Sequence, residues 1–172
     1  EGYYSSMYNK PCFIVGLPRS GTTLLQGILC NTGYYFPLPE THYFSKIATD
    51  IPEINISASQ KKKLKKRLQR KTKIHIKQSE LNNLNTKKEI FEGIINLYNY
   101  DNFNTFLEKT PRHVFNYKEI SKYYPDARFI CMIREPRNTV SSILNMSEQS
   151  QKKSITRMAL LYNEIVSNIN AI

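Results

Sequence analysis

Apolar and polar positions divide the chain into short unbroken apolar runs and longer stretches with helical spacing. Residues 11–15, Pro11-Cys12-Phe13-Ile14-Val15, form an apolar run closed by Gly16. Its length and β-branched content predict a buried strand. Gly16-Leu17-Pro18-Arg19-Ser20-Gly21 is a loop, with two glycines and a proline in six residues. Residues 22–30 predict a helix with Leu24, Leu25, Ile28 and Leu29 on one side, and Gly33 offers a left-handed cap. Residues 34–44 are aromatic and broken by Pro37 and Pro39, so they read as extended. A loop over 51–59 precedes a helix over 60–72, whose thin apolar stripe is Leu64 and Leu68. Residues 87–98 form a stronger amphipathic helix carrying Ile90, Phe91, Ile94, Ile95 and Leu97. A second central strand falls at 105–109, and Pro111 suits the first turn of a helix running toward Tyr123. Residues 127–133 are the most strand-like run, apolar except for Arg128, and helices follow at 138–146 and 154–169.

Strands alternating with helices predict an α/β fold, a central parallel β-sheet flanked by helices, in one domain over 1–172. Ligands in such sheets bind beyond the carboxyl ends of the strands. The glycine loop, Lys109-Thr110 and Arg134 all follow predicted strand ends, so they are expected on one rim.

Charge changes the picture in one place. The chain carries +11, and ten of its 25 basic residues lie between 61 and 77, a stretch without an acid. This patch suits an anionic partner or an ordinary solvated helix face. It contains no aromatic between residues 61 and 73, which argues against a specific nucleic-acid surface. No run of about 18 apolar residues marks a membrane span. Cys12, Cys30 and Cys131 are widely spaced, without a CxxC pair or a zinc-like Cys/His spacing. They read as buried thiols, which favours a reducing, cytoplasmic setting over a secretory lumen. The chain starts without Met and stops inside a predicted helix, as expected of a domain lacking its C-terminal part.

The first loop has the frame of a phosphate-binding loop, GxxxxGK[ST], with both glycines in register. Thr22 stands where the lysine of that pattern would be, and the cation is instead Arg19, inside the loop. Pro18-Arg19-Ser20-Gly21-Thr22-Thr23-Leu24-Leu25 resembles the 5′-phosphosulfate loop of sulfotransferases. Downstream, a strand ends in Arg134-Glu135-Pro136, and Ser142 follows eight residues after Arg134. An arginine fork plus a hydroxyl suits a dianionic phosphate. This segment resembles the 3′-phosphate motif of the same family. The apolar strand ends in arginine where a P-loop NTPase has a magnesium-binding Asp.

The resemblance implies a P-loop NTPase-like sulfotransferase fold, nearest the bacterial, tyrosylprotein and glycan branches. It implies 3′-phosphoadenosine 5′-phosphosulfate (PAPS) as donor, 3′-phosphoadenosine 5′-phosphate (PAP) as product, and no metal. Pro18, Arg19, Ser20, Gly21, Thr22 and Thr23 would hold the 5′ end; Arg134 and Ser142 would hold the 3′-phosphate. Pro39-Glu40-Thr41-His42-Tyr43-Phe44 resembles a family segment whose glutamate is the base, which makes Glu40 the candidate base and His42 its alternative. Phe106-Leu107-Glu108-Lys109-Thr110-Pro111 resembles a segment whose lysine lies near the transferring group, which makes Lys109 a second cation beside Arg19. His75 and His113 have no partner identifiable from the sequence. The acceptor would carry a hydroxyl on a glycan, a peptide tyrosine or a small molecule, and could be anionic. The rival readings are a nucleotide or small-molecule kinase, and a family member that binds donor without transferring.

Overall fold

The structure, a computed structural model, describes residues 8–72, 74–99, 103–144 and 155–170. Four strands form one parallel sheet: β1 (Cys12–Gly16), β2 (Phe36–Pro37), β3 (Phe106–Lys109) and β4 (Arg128–Met132). The order across the sheet is β2-β3-β1-β4. Every pairing is parallel, with Ile14 opposite Lys109 and Gly16 opposite Met132. The helices are α1 (Thr22–Cys30), α2 (Ala58–Lys71), α3 (Gln78–Asn82), α4 (Lys87–Asn96), α5 (Tyr117–Tyr123), α6 (Pro136–Leu144) and α7 (Ile155–Ile169). A π-helical turn spans Tyr43–Ile47, and a 3₁₀ helix, Pro111–Asn116, runs into α5. Among the described residues no helix is long and apolar enough to cross a membrane. Residues 145, 146 and 154 of the predicted helices lie outside the described residues.

Alternation along the strands builds two cores. Phe13 and Val15 of β1 and Phe106 of β3 face a large core; Cys12, Ile14 and Leu107 face a small one beneath α1. The large core is aromatic: the Phe106 ring meets Phe13 edge-on at 5.6 Å, Tyr124 at 5.8 Å and Phe91 at 6.1 Å. Each fully buried Phe stabilises by about 2 kcal/mol of transfer free energy. Helices start where the sequence supplies caps. Ser57 exchanges hydrogen bonds with Gln60 at the start of α2, and Thr86 does so with Glu89 at α4.

Two expectations change, and one helix is new. Leu25 and Leu29 of α1 pack on the small core, but Leu24 and Ile28 are 70% and 57% exposed. The four cannot share one contact line, since neighbouring residues lie about 100° apart around a helix. The extended segment over 34–44 shrinks to two paired residues, because Tyr43 already begins the π-helical turn. The helix α3 has only five residues and one buried apolar side chain, Leu81, so it leaves no periodic signal.

The basic helix α2 is partly neutralised from within the molecule. Lys61 is buried and donates to the Asn82 carbonyl at 2.9 Å. Arg67 pairs with Asp50 and donates to the Ile47 carbonyl, and Lys63 lies 3.4 Å from Asp50. Lys62, Lys66 and Arg70 remain on the exposed face.

Candidate active site

The phosphate-type loop leaves β1 at Gly16. Its φ is +117°, and a side chain there would lie 2.4 Å from the Met132 carbonyl oxygen. Only glycine permits this approach. Leu17 N–H donates to that carbonyl at 2.9 Å, tying the loop to β4. Ser20 Oγ, buried, donates to the Leu17 carbonyl at 2.6 Å and braces the loop internally. Arg19 at φ +66° and Gly21 at +95° turn the backbone left-handed on either side of Ser20. No side chain caps the start of α1, so its first amides keep donor capacity for an anion. Thr22 is buried behind them, Thr23 is exposed, and Pro18 is half-buried against α6 and α7.

Two arginines border this loop, one bonded to Ser142 through its side chain and the other bonded to the backbone of the first. Arg19 Nε donates to Ser142 Oγ at 3.1 Å, bringing together residues 123 apart in sequence. Arg134 Nη1 donates to the Arg19 carbonyl at 3.0 Å. Tyr162 of α7 donates to the Arg134 carbonyl at 3.3 Å. Glu135 does not neutralise this pair, because its carboxylate caps α6 by accepting from the Arg137 and Asn138 amides at 3.1 and 2.8 Å. Those amides hold its carboxyl below the usual range. Among the described residues no carboxylate forms an ion pair with Arg19 or Arg134. Exposed positive charge with no ion pair among the described residues, next to uncapped helix amides, is chemistry that suits an anion.

The acid–base candidates gather at the end of β3. Lys109 Nζ hydrogen-bonds Glu40 Oε1, and His42 Nε2 lies 3.3 Å from Glu40 Oε2. Hydrogen bonding from His42, then from Lys109, lowers the Glu40 carboxyl to about 2 against the opposing effect of burial. Lys109 lies opposite Ile14 of β1, and the glycine loop begins two residues later. With strands about 4.8 Å apart, β3 and β4 flank β1 within about 10 Å, so both clusters occupy one rim.

Beneath Glu40 lies a second carboxylate, Glu108, which is 0% exposed. Thr41 Oγ1 and Thr110 Oγ1 donate to its Oε1 at 2.8 and 2.5 Å, and His113 Nδ1 lies 3.0 Å from Oε2. Burial pushes the Glu108 carboxyl up, but His113, Thr110 and Thr41 outweigh it and leave it lowered. The sequence signal for this group was a charged residue inside the apolar run Phe106-Leu107-Glu108. His113, without a partner on sequence grounds, has one here, whereas His75 is exposed.

The structure thus places Arg19, Arg134 and Ser142 in one cluster and Glu40, Lys109 and His42 in another. Among the described residues no group of His, Cys, Asp and Glu is arranged to hold a metal ion. No curated protein gives a significant match to the chain. The sequence model of the sulfotransferase family matches residues 11–170. That span runs from the start of β1 to the end of α7 and contains both clusters, so the chain belongs to the sulfotransferase family.

Proposed function

We propose that the chain transfers the sulfuryl group of PAPS to an acceptor hydroxyl, with Glu40 as general base. The observation that carries this reading is that Arg134 bonds the backbone of Arg19 in the glycine loop while Arg19 bonds Ser142, with no ion pair to either arginine among the described residues. A donor bearing phosphate groups at both ends of an adenosine suits that charge. Residues 18–23 would hold the 5′-phosphosulfate through Arg19, the Thr22 and Thr23 hydroxyls and the loop amides. Arg134 and Ser142 would hold the 3′-phosphate.

In the transfer, the bond from sulfur to the donor phosphate oxygen breaks and a bond to the acceptor oxygen forms. PAP leaves, and the acceptor proton passes to Glu40. A carboxylate held near 2 is ionised at neutral pH but is a weak base. Lys109 eases this conflict in the proposal. A sulfonate competing for its ammonium would draw Lys109 off Glu40, steadying the sulfuryl oxygens and removing one of the two hydrogen bonds that lower the carboxyl, while that from His42 remains.

A thermal-shift titration tests donor class. PAP at about 100 times its dissociation constant should raise Tm by about 5–10 °C. ATP with magnesium and a DNA oligomer should not. Stabilisation by ATP with magnesium and none by PAP would replace this reading with the kinase one.

A further inference from the structure

The buried carboxylate beneath Glu40 has no part in the transfer described above, yet three consecutive backbone amides converge on it. Thr41 N–H donates to Glu108 Oε1 directly, at 3.3 Å. His42 N–H donates to Thr110 Oγ1 at 3.3 Å, and that hydroxyl donates to Glu108 Oε1 at 2.5 Å. Tyr43 N–H donates to Thr41 Oγ1 at 3.2 Å, and that hydroxyl donates to the same oxygen at 2.8 Å. Each threonine hydroxyl therefore has its proton aimed at Glu108 and its lone pair at the backbone of the base segment. His113 closes the other side of the carboxylate at 3.0 Å and sits edge-on to Phe44.

The segment so tied is not one that would hold its shape alone. His42 has φ +48° and ψ +20°, left-handed values that cost a residue with a Cβ roughly 1 kcal/mol or more. Thr41 points into the protein and is 0% exposed, while Glu40 and His42 on either side turn outward and meet. Strand alternation does the same on β3: Glu108 faces the large core and the next residue, Lys109, faces Glu40. One carboxylate thus fixes the backbone bearing Glu40 and His42 and adjoins the residue bearing Lys109. A buried charge costs several kcal/mol unless it is fully satisfied, and here Oε1 serves the base segment, directly through Thr41 and indirectly through Thr110, while Oε2 faces His113.

We propose that Glu108 is a positioning residue for the reaction, acting through Thr41 and Thr110 to hold Glu40 and His42 in register with Lys109. The proposal rests on the reading of Glu40 as base and goes beyond it. Its test needs no knowledge of the acceptor. The Glu40 carboxyl of the full chain is followed by carbon-13 NMR through an acid titration, with Glu40→Gln assigning the resonance. Thr110→Val keeps the shape of the side chain and deletes the hydroxyl that links His42 to Glu108. It should raise the Glu40 midpoint from about 2 by about one pH unit or more, toward the ordinary carboxylate value. Thr110→Ser restores a hydroxyl and should return the midpoint. Glu108→Gln should shift it in the same direction as Thr110→Val.

Affinity for PAP should stay within about twofold in all three variants, because Arg19, Arg134 and Ser142 are untouched. Once a transfer assay is in hand, kcat should fall about 10²-fold in Thr110→Val with KM for the donor nearly unchanged. An unmoved Glu40 midpoint in folded Thr110→Val, or no recovery in Thr110→Ser, would overturn the proposal. Loss of the fold in Thr110→Val would overturn it too, by making the network structural alone. Failure of the unmodified chain to bind PAP would instead defeat the donor assignment, and the titration would still report on the network.

Discussion

Arg19 and Arg134 are exposed beside half-buried Ser142, braced by a backbone carbonyl and a hydroxyl, with no ion pair to either arginine among the described residues. Lys109, on the neighbouring strand end, is already paired with Glu40, and Glu40 with His42, above a buried carboxylate that makes four hydrogen bonds with three residues. The first cluster has exposed cationic groups with no ion pair among the described residues. The second is joined internally, though His42 Nδ1 is buried without a hydrogen-bond partner; on the proposed reading it must be partly undone to act. Binding strength should therefore reside on the arginine side and rate on the glutamate side, with little exchange between them.

Glu40→Gln probes that division hardest. Transfer should fall by about 10³-fold, the usual range for a lost general base, while the dissociation constant for PAP stays within about twofold. A parallel loss of PAP binding, read by calorimetry, would merge the two clusters into one and remove the base assignment. Arg19→Ala and Arg134→Ala come next. Each deletes charge-assisted hydrogen bonds to phosphate and should weaken PAP by about 10- to 100-fold. Tm of the free chain should change little, since each guanidinium gives up one exposed hydrogen bond and no ion pair among the described residues. A falling Tm would show that the arginine side is structural after all.

Acid separates the clusters most gently. The Glu40 carboxyl is lowered to about 2 and that of Glu108 is lowered as well. In the unfolded chain both would bind protons near 4.5, the ordinary value. Their contribution to stability is therefore complete above about 4.5 and is lost as pH falls toward 2. Denaturant midpoints between pH 6 and 3 should fall less steeply in Glu40→Gln than in the unmodified chain. Arg19→Ala should leave that slope as it is. Equal slopes in Glu40→Gln and the unmodified chain would mean the carboxylate is not coupled to folding.

The arginine side was legible in the sequence because its parts are local. Loop glycines, Arg19 and the helix that follows fall within a few residues, and Arg134 and Ser142 are separated by one turn and a helix start. Even so, the Arg19–Ser142 contact joins residues 123 apart and needed the sheet order to be seen. The support beneath Glu40 was illegible for a related reason. Thr41 meets Glu108 across 67 residues, through a parallel pairing that no periodicity announces. His113 looked unpartnered because its partner is a strand residue that alternation turns inward. On α1, apolar spacing identified the helix but not its seating, and Leu24 and Ile28 face outward. Burial on a helix covered on one side depends on what lies opposite, which composition does not encode.

At Gly16, a hydrogen stands where any other residue would put carbon against the Met132 carbonyl. Arg134 follows that carbonyl by two positions, and Arg19 follows the glycine by three. The spacing between the two arginine-bearing segments is thus gauged at a single backbone contact. A methyl group added there would wedge the strands apart and move one arginine relative to the other, though neither residue had changed.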